Sequence, residues 1–445
     1  MRKSLLLIVL LIAPLSHVSF GKEPKVAPRD VDVRLPSAIF DYVAKPEPAY
    51  NWKLRKNIDT PQGHLYEIAM QSQTWQDITW EHSLIVHEPK KVVCQDHMLL
   101  FVTGGRNGRP AGNGDHAMGF ALAKMTGARV AMLYQVPNQP LFDDRYEDDL
   151  ITETWLRYLE SGDDSWPLLF PMVKSAVKAM DTLEAVANER WQTELKGFVI
   201  TGASKRGWTS WLTPVVDKRI VATAPMVIDV LNFRPQMKHQ LDVWGAYSDQ
   251  IHDYWSKGLI KKDDESPREM KLRVMMDPYT YRSVLKMPKL LVNGTNDRYW
   301  VVDAMKLYWP DLEGPKFVLQ VPNAGHGLNG GGDRVGATVA AFFRHVVQGR
   351  ELPKISWKSL EDESSYGLHL SVEPKPRKVK FWHAHSPSGD FRESRWASIP
   401  MGKNGSGYVG QLPKPAQGEH VAFFGEMEFE ADGQSYWLST LIQRF

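Results

Sequence analysis

The feature of this sequence that most restricts its fold is a series of short apolar runs separated by stretches with helical periodicity. Each run is nearly free of polar residues and is bounded by Gly or Pro, as expected for strands buried on both faces of a sheet. Because strands that alternate with helices form crossover units, the pattern predicts an α/β domain with a mostly parallel sheet. The runs cover residues 97–102, 128–134, 197–200 and 289–292.

Helices are predicted in two of the intervening stretches. One begins at Asp115, interpreted as an N-cap, and continues to residue 126, where Gly127 is placed to end it. The other covers residues 171–190, in which apolar residues recur at three- and four-residue spacing. Ahead of these elements, β-forming segments at 65–70 and 80–87 predict an antiparallel edge of the same sheet.

Residues 232–287 interrupt the alternation with a long, mostly polar segment that contains Trp244, Tyr247, Tyr254 and Trp255. An insertion at this point is expected to cover the ends of the strands as a helical lid. The alternative is an ordinary helical excursion packed on the sheet, since aromatic side chains at helical spacing usually belong to a core.

The pattern changes again after Leu352-Pro353. From residue 355 to residue 445, polar and apolar residues alternate, and Gly and Pro recur at short intervals. This pattern predicts an antiparallel β-sandwich appended as a second domain to a catalytic domain over residues 22–350.

The N-terminal segment has the features of a secretory signal. Two basic residues, Arg2 and Lys3, precede an apolar stretch from Leu5 to Leu15, and small residues follow up to Gly21. Residues 1–21 are therefore predicted to be a signal peptide, and the protein to be exported, either periplasmic or secreted. An uncleaved N-terminal anchor is the alternative. No later run is long enough to span a membrane, so no span is expected in the mature protein.

Charge and cysteine content exclude several classes of function. The chain has 54 Lys and Arg against 52 Asp and Glu. Removing Arg2 and Lys3 with the signal leaves a formally neutral protein, with no electrostatic reason to bind nucleic acid. Cys94 is the one cysteine, so neither an intrachain disulfide nor a thiolate metal cage is expected. The histidines show no paired metal-ligand spacing, and neither a metal nor a cofactor is predicted.

Ser204 is the candidate nucleophile. It follows a predicted buried strand and precedes a helical stretch, within the segment Thr201-Gly202-Ala203-Ser204-Lys205-Arg206-Gly207. A serine on such a tight turn exposes its hydroxyl at the carboxyl edge of the sheet. In the usual motif a second glycine comes two residues after the serine, but Arg206 stands there. The alternative interpretation of Ser204 is a helix N-cap.

A candidate acid and a candidate base follow Ser204 in the sequence. Asp297 comes after the predicted strand at 289–292, and His326 lies in a Gly-rich loop after the next one. Serine, acid and histidine in this order, each on a loop that leaves a strand, are typical of the α/β-hydrolase fold. Asp229 is a rival acid, Asp303 is expected at the surface, and a loop histidine without a catalytic role is the alternative for His326.

An oxyanion hole is predicted from two segments. The Gly-rich loop Thr103-Gly104-Gly105-Arg106 follows an early buried strand, and its glycines let backbone amides approach a substrate. A plain turn is the alternative. Lys205 follows the candidate nucleophile, and its ammonium either joins the oxyanion site or points to solvent.

These motifs resemble those of the PhoPQ-activated pathogenicity-related protein family. The resemblance rests on the segment from Gly202 to Trp208, the segment from Asn293 to Trp300, and Asn323-Ala324-Gly325-His326-Gly327, and it extends from about Asp41 to the C-terminus. It implies an exported α/β-hydrolase-like protein, associated in bacteria with virulence regulation. The Ser-Lys-Arg segment is also similar to the Ser-Arg segment of glucuronoyl esterases, in which a basic residue next to the nucleophile assists the oxyanion.

The sequence thus predicts an exported serine hydrolase that cleaves an ester or amide bond through an acyl-enzyme at Ser204. Small molecules and peptides are both possible substrates, because esterases and peptidases use the same triad. The alternative is a secreted binding or signalling protein that keeps the hydrolase fold without turnover.

Overall fold

The computed structural model describes residues 35–261 and 264–445. The predicted signal peptide lies outside these residues. Within them, no helix combines the length and the apolar character needed to cross a membrane.

Helices occupy the connections between strands and much of the insertion. They are α1 (Ala38–Ala44), α2 (Asn113–Thr126), α3 (Glu147–Ser161), α4 (Leu169–Val186), α5 (Lys205–Val216), α6 (Phe233–Trp244), α7 (His252–Ser256), α8 (Pro267–Met276) and α9 (Gly332–Val347).

Strands occur along the whole described chain, and after residue 353 they follow one another without an intervening helix. They are β1 (Asn51–Thr60), β2 (Gly63–Trp75), β3 (Ile78–Pro89), β4 (Cys94–Val102), β5 (Ala128–Leu133), β6 (Gly197–Ala203), β7 (Ile220–Met226), β8 (Lys289–Gly294), β9 (Lys316–Val321), β10 (Lys354–Glu361), β11 (Ser365–Glu373), β12 (Lys378–Ser386), β13 (Ala397–Pro400), β14 (Gly402–Asn404), β15 (Gly407–Pro413), β16 (His420–Ala431), β17 (Gln434–Ser439) and β18 (Gln443–Arg444).

The central sheet has a parallel middle flanked by antiparallel strands. Its order in the described part of the chain is β1-β2-β3-β5-β4-β6-β7-β8-β9-β17-β16-β12-β13. Neighbouring strands from β5 to β9 run parallel, whereas β1, β2 and β3 pair antiparallel and β3 joins β5 antiparallel. Every residue of β5 is buried, and β6 is buried up to its last residue. The predicted α/β fold, with parallel central strands and an antiparallel leading edge, is therefore confirmed.

The start of α2 differs from the prediction. The helix begins at Asn113, so Asp115 lies inside its first turn and is not the N-cap. Its carboxylate accepts a hydrogen bond from the Gly112 amide at 2.8 Å, which satisfies one of the free donors at the helix start. The end agrees with the prediction, because Gly127 ends the helix with a left-handed φ of 65°.

The C-terminal strands are joined to the central sheet, which differs from the predicted appended domain. Strands β10, β11, β15 and β14 form a separate four-stranded sheet. The other layer continues the central sheet, because Ser439 of β17 pairs with Val318 of β9. Without this pairing β9 would be an open edge with unpaired backbone groups. Leu368 and Leu370 of the separate sheet share one core with Phe381 and Phe423 of the central sheet.

Candidate active site

Ser204 lies on a sharp turn between β6 and α5, with φ of 58° and ψ of −124°. Residues other than glycine rarely adopt a positive φ, so the surrounding contacts must hold this turn. The Ser204 amide donates to the Met226 carbonyl at 2.9 Å, and the Trp208 amide donates to the Ser204 carbonyl at 3.0 Å. The turn thereby presents the hydroxyl at the carboxyl end of β6.

Two glycines beside the turn let α5 pack closely on the sheet. A Cβ at Gly202 would lie 2.8 Å from the Arg206 carbonyl oxygen of α5, and a Cβ at Gly207 would lie 2.8 Å from the Met226 carbonyl oxygen of β7. Side chains at these positions would therefore push the helix away from the sheet. Gly207 makes this second close approach although it comes one residue later than in the usual motif.

The structure brings Ser204, His326 and Asp297 into one hydrogen-bonded chain. His326 Nε2 lies 2.9 Å from Ser204 Oγ, and His326 Nδ1 lies 2.8 Å from Asp297 Oδ2. With the proton on Nδ1, the imidazole donates to the carboxylate and its Nε2 accepts from the serine hydroxyl. This is the geometry in which a histidine can remove the serine proton while a carboxylate fixes its tautomer.

The loops after β8 and β9 are tied together, which sets the distance between the acid and the histidine. The backbone N–H of Asn296 donates to the Ala324 carbonyl at 2.9 Å, and the backbone N–H of Asn323 donates to Thr295 Oγ1 at 2.9 Å. Gly294 makes room for this approach, because a Cβ there would lie 2.3 Å from the Ala324 oxygen. The remaining Asp297 oxygen accepts from the Tyr299 amide at 2.9 Å.

Asp229, the rival acid, lies in a different environment. Its carboxylate is buried and accepts a hydrogen bond from the Tyr308 hydroxyl, whereas His326 is bonded to Asp297. Burial raises the pKa of Asp229 to about 7, and the charge of Asp297 adds to this effect.

The prediction that Asp303 lies at the surface is wrong. Its side chain is buried and lies 2.6 Å from His239 of α6 and 2.6 Å from Lys306. Burial alone would raise the pKa of Asp303, but the hydrogen bond from His239 and the charge of Lys306 outweigh it and hold the pKa well below its usual range. Asp303 therefore anchors the insertion to the loop after β8.

Lys205 is buried beside the turn, and its ammonium does not point to solvent. Nζ lies 2.5 Å from Asp148 Oδ2 and 5.5 Å from the centre of the Tyr299 ring. The ammonium charge is thus already paired. The Lys205 amide is the first of α5, and such amides lack a partner within the helix. Of the groups on Lys205, the backbone N–H is the better donor to an oxyanion.

Arg206 connects the turn to the predicted oxyanion loop. Its guanidinium contacts both carboxylate oxygens of Glu147, at 2.7 and 2.8 Å, and also donates to the Val136 carbonyl. A Cβ at Gly104 would lie 2.4 Å from this guanidinium, so glycine is needed there for Arg206 to fit. Burial would raise the pKa of Glu147, but the hydrogen bonds and charge of Arg206 lower it to about 2.

Gly105 is the second glycine of this loop, and its φ of 113° lies in the region that favours glycine. The loop follows β4, which pairs with β6, and it therefore lies next to the Ser204 turn.

A cavity of about 430 Å³ contains Ser204 and His326 in its wall. The insertion contributes several of the side chains that close it, and the strand ends contribute others. The remaining lining residues are Asp148, Lys205, Trp208, Val227, Ile228, Val230, Phe233, Ile251, Tyr254, Ile260, Tyr299 and Trp300.

Three features of this site were not predicted from the sequence. Tyr299 stacks on His326 with ring centres 4.1 Å apart, and it stands two residues after Asp297. Glu147 and Asp148 follow β5, and acidic residues after a buried strand are a detectable signal. Their partners on α5 are nearly sixty residues away, so the pairing itself needs the fold.

Parallel central strands that carry serine, aspartate and histidine on strand-end loops, in that chain order, define the α/β-hydrolase superfamily. Within it, the chain belongs to the PhoPQ-activated pathogenicity-related protein family, whose model matches residues 39–392. The autocrine proliferation repressor protein A of Dictyostelium discoideum is 31% identical over 374 residues, covering 80% of this chain and 75% of that protein. The expected family membership is confirmed.

Solved structures of esterases are also similar to this chain. Acetyl xylan esterase 1 from Thermoanaerobacterium sp. has a TM-score of 0.48 at 15% identity, covering 70% of this chain and 94% of its own. The glucuronoyl esterase from Solibacter usitatus has a TM-score of 0.44 at 12% identity, covering 69% of this chain and 91% of its own.

Proposed function

We propose that the protein is an exported serine hydrolase that cleaves an ester or amide bond through an acyl-enzyme at Ser204. The observation that carries this proposal is the continuous hydrogen-bonded chain from Ser204 through His326 to Asp297. The positive φ of Ser204 adds support, because a strained turn is held in place only by surrounding structure and is common at catalytic nucleophiles.

The reaction follows from ordinary acid-base chemistry. His326 Nε2 takes the proton of Ser204 as Oγ bonds to the substrate carbonyl carbon, whose oxygen becomes an oxyanion. The backbone amides of Lys205 and of the Gly104-Gly105 loop are the proposed donors to that oxyanion. The tetrahedral species collapses, and the leaving alcohol or amine takes the proton from the imidazolium. Water, deprotonated by His326, then attacks the acyl-enzyme, releases the acid and restores Ser204.

Substitution of the nucleophile tests the proposal. A screen of ester and aminoacyl substrates would first identify the best substrate of the purified mature protein. Ser204→Ala should then lower kcat by about a millionfold, because no other group can form the acyl-enzyme. Ser210→Ala is the matched control, since Ser210 lies on the same helix and its hydroxyl donates to the Arg206 carbonyl. Similar rates in wild type and Ser204→Ala would contradict the proposal.

Export through residues 1–21 is part of the same proposal. The mass of the N-terminal peptide of protein recovered from outside the cytoplasm should correspond to cleavage near Gly21. Exported protein that retains Met1 would instead support the alternative, an uncleaved N-terminal anchor.

The alternative proposal is a secreted signalling or binding protein without turnover. It draws on the name of the Dictyostelium relative, a repressor of proliferation. This alternative is favoured if the screen finds no hydrolysis and Ser204 does not react with an acylating or phosphonylating reagent.

A further inference from the structure

The cavity beside Ser204 has an apolar wall and no unpaired charge facing the serine. Among the described residues, its ionic side chains besides His326 are Asp148 and Lys205, which lie 2.5 Å from each other. The hydroxyl groups of Tyr254 and Tyr299 also donate to Asp148, at 3.0 and 3.3 Å. A charged substrate group would lose its hydration here without gaining a partner, so the lining favours an uncharged apolar group.

A second apolar cavity, of about 530 Å³, adjoins the first. The two cavities share Trp208, Val230 and Phe233 in their walls. Trp155 and Leu272 are among the apolar side chains of the second cavity. Five ionisable residues border it. One is Asp277, whose carboxylate accepts from the backbone amides of Asn232, Phe233 and Tyr279, and the other four form two ion pairs. These are Arg273 with Glu265 at 2.9 Å and Lys261 with Glu269 at 2.6 Å.

Phe233 is the most exposed of the three side chains that the two cavities share, since Trp208 and Val230 are buried. It is the first residue of α6 and is half-buried. The main chain at this point is held by Asp277, whose carboxylate accepts from the Asn232 amide at 3.2 Å and the Phe233 amide at 3.0 Å. With the backbone fixed in this way, and with Trp208 held by its hydrogen bond to the Met276 carbonyl at 2.7 Å, the Phe233 ring is the shared wall group with the most freedom to rotate.

We propose that the two cavities form one site for an uncharged hydrocarbon group of the substrate, and that the Phe233 ring sets the length of the group that fits. This proposal rests on the proposed hydrolase function, because it places the hydrocarbon next to the bond that Ser204 attacks. The group belongs to either the acyl or the alcohol part of an ester, and both present the same apolar chemistry to the wall. The space beside Ser204 is small, so a longer group also needs the space of the adjoining cavity, which the Phe233 ring borders.

Two ester series distinguish the acyl side from the alcohol side. One series lengthens an unbranched acyl chain on a fixed nitrophenol, and the other lengthens the alcohol of an acetate ester. In one of them kcat/KM should rise by about fourfold per added methylene until a limiting length is reached. Phe233→Ala should move that limit to longer chains, and Phe233→Trp should move it to shorter ones. The control is Met270→Ala, an apolar truncation on the exposed face of α8 that lines neither cavity.

Three results would overturn the proposal while leaving the hydrolase function intact. The first is a flat or falling kcat/KM in both series for a protein whose Ser204 still reacts with a fluorophosphonate. The second is a preference for a succinyl ester over a butyryl ester. The third is a limiting length that is the same in Phe233→Ala and Met270→Ala.

Binding to the Ser204→Ala variant tests the cavities separately from turnover. Affinity for unbranched alcohols, measured by calorimetry, should rise with chain length in this background, and adding Phe233→Ala should extend the rise to longer alcohols. If wild-type protein shows no hydrolysis but affinity for alcohols rises with chain length, the hydrolase function is contradicted and the apolar site is supported. Affinity that does not depend on chain length would overturn the apolar site itself.

Discussion

The loops that leave β7 and β8 carry the same residue type at the same place, yet they hold it in different surroundings. Asp229 comes three residues after Met226, and Asp297 comes three residues after Gly294. Both side chains are buried. Asp229 accepts a hydrogen bond from Tyr308, whereas Asp297 contacts His326 at 2.8 Å.

The difference arises from what each loop is bonded to. The loop after β8 is tied to the loop after β9 through Asn296 and Asn323, and this brings Asp297 to the histidine. The loop after β7 continues instead into the insertion, whose first helix is held by Asp277. Position after a strand therefore identifies candidate acids, but the hydrogen bonds between neighbouring loops determine which one meets the imidazole.

Substituting asparagine for each aspartate should show most clearly which of the two supports catalysis. Asp297→Asn should lower kcat by roughly ten thousandfold, because an amide neither stabilises the imidazolium nor selects the active tautomer. Asp229→Asn is the same substitution on the neighbouring loop, and its kcat should stay close to that of the wild type, because Asp229 does not contact His326. Steady-state kinetics on the best ester would measure both. A larger loss for Asp229→Asn would exchange the roles of the two residues.

The pH dependence of the free energy of unfolding is a second way to distinguish Asp229 from Asp297. The pKa of Asp229 is raised to about 7 in the folded protein, against about 3.9 in an unfolded chain. Between these values the folded state holds a proton that the unfolded state has lost. The free energy of unfolding therefore falls as pH rises from about 4 to about 7.

Asp229→Asn should remove this fall, which amounts to at most about 3 kcal/mol between about pH 5 and about pH 8. Urea unfolding at the two pH values measures it, with Asp242→Asn on the exposed side of α6 as the control. Parallel pH profiles for wild type and Asp229→Asn would show that Asp229 is ionised throughout.

Tyr308→Phe should have the smallest effect and should be confined to stability. The change removes the hydroxyl that donates to Asp229 and leaves a buried acceptor without that donor. The free energy of unfolding should fall by about 1 to 2 kcal/mol, and more above about pH 7, where the carboxylate is charged. kcat should not change, because the Tyr308 hydroxyl bonds to Asp229 and not to Ser204, His326 or Asp297. A large loss of kcat at unchanged stability would connect Asp229 to catalysis.

The central strands were predictable because burial on both faces leaves a strong local signal. The run at 128–134 corresponds to β5, whose residues are all buried, and Gly127 marks the helix end through its positive φ. The order of Ser204, Asp297 and His326 was also readable, since each follows a strand. These are properties of short segments and need no knowledge of distant contacts.

The features that could not be predicted depend on contacts between distant segments. Nothing local indicates that Ser439 pairs with Val318 and joins the C-terminal strands to the central sheet. The burial of Asp303 depends on His239 of α6, and the position of Arg206 depends on Glu147. A charged residue looks exposed in sequence until its partner is known.

Reaction with a fluorophosphonate, followed by mass spectrometry of the peptides, tests whether Ser204 is a nucleophile activated by His326. We expect one phosphonyl adduct on the peptide that contains Ser204, formed as Oγ displaces fluoride. The adduct should be absent from Ser204→Ala, much slower to form in His326→Ala, and unchanged in Ser210→Ala. A folded wild-type protein without an adduct at Ser204, or one labelled equally fast without His326, would contradict the proposed catalytic chain.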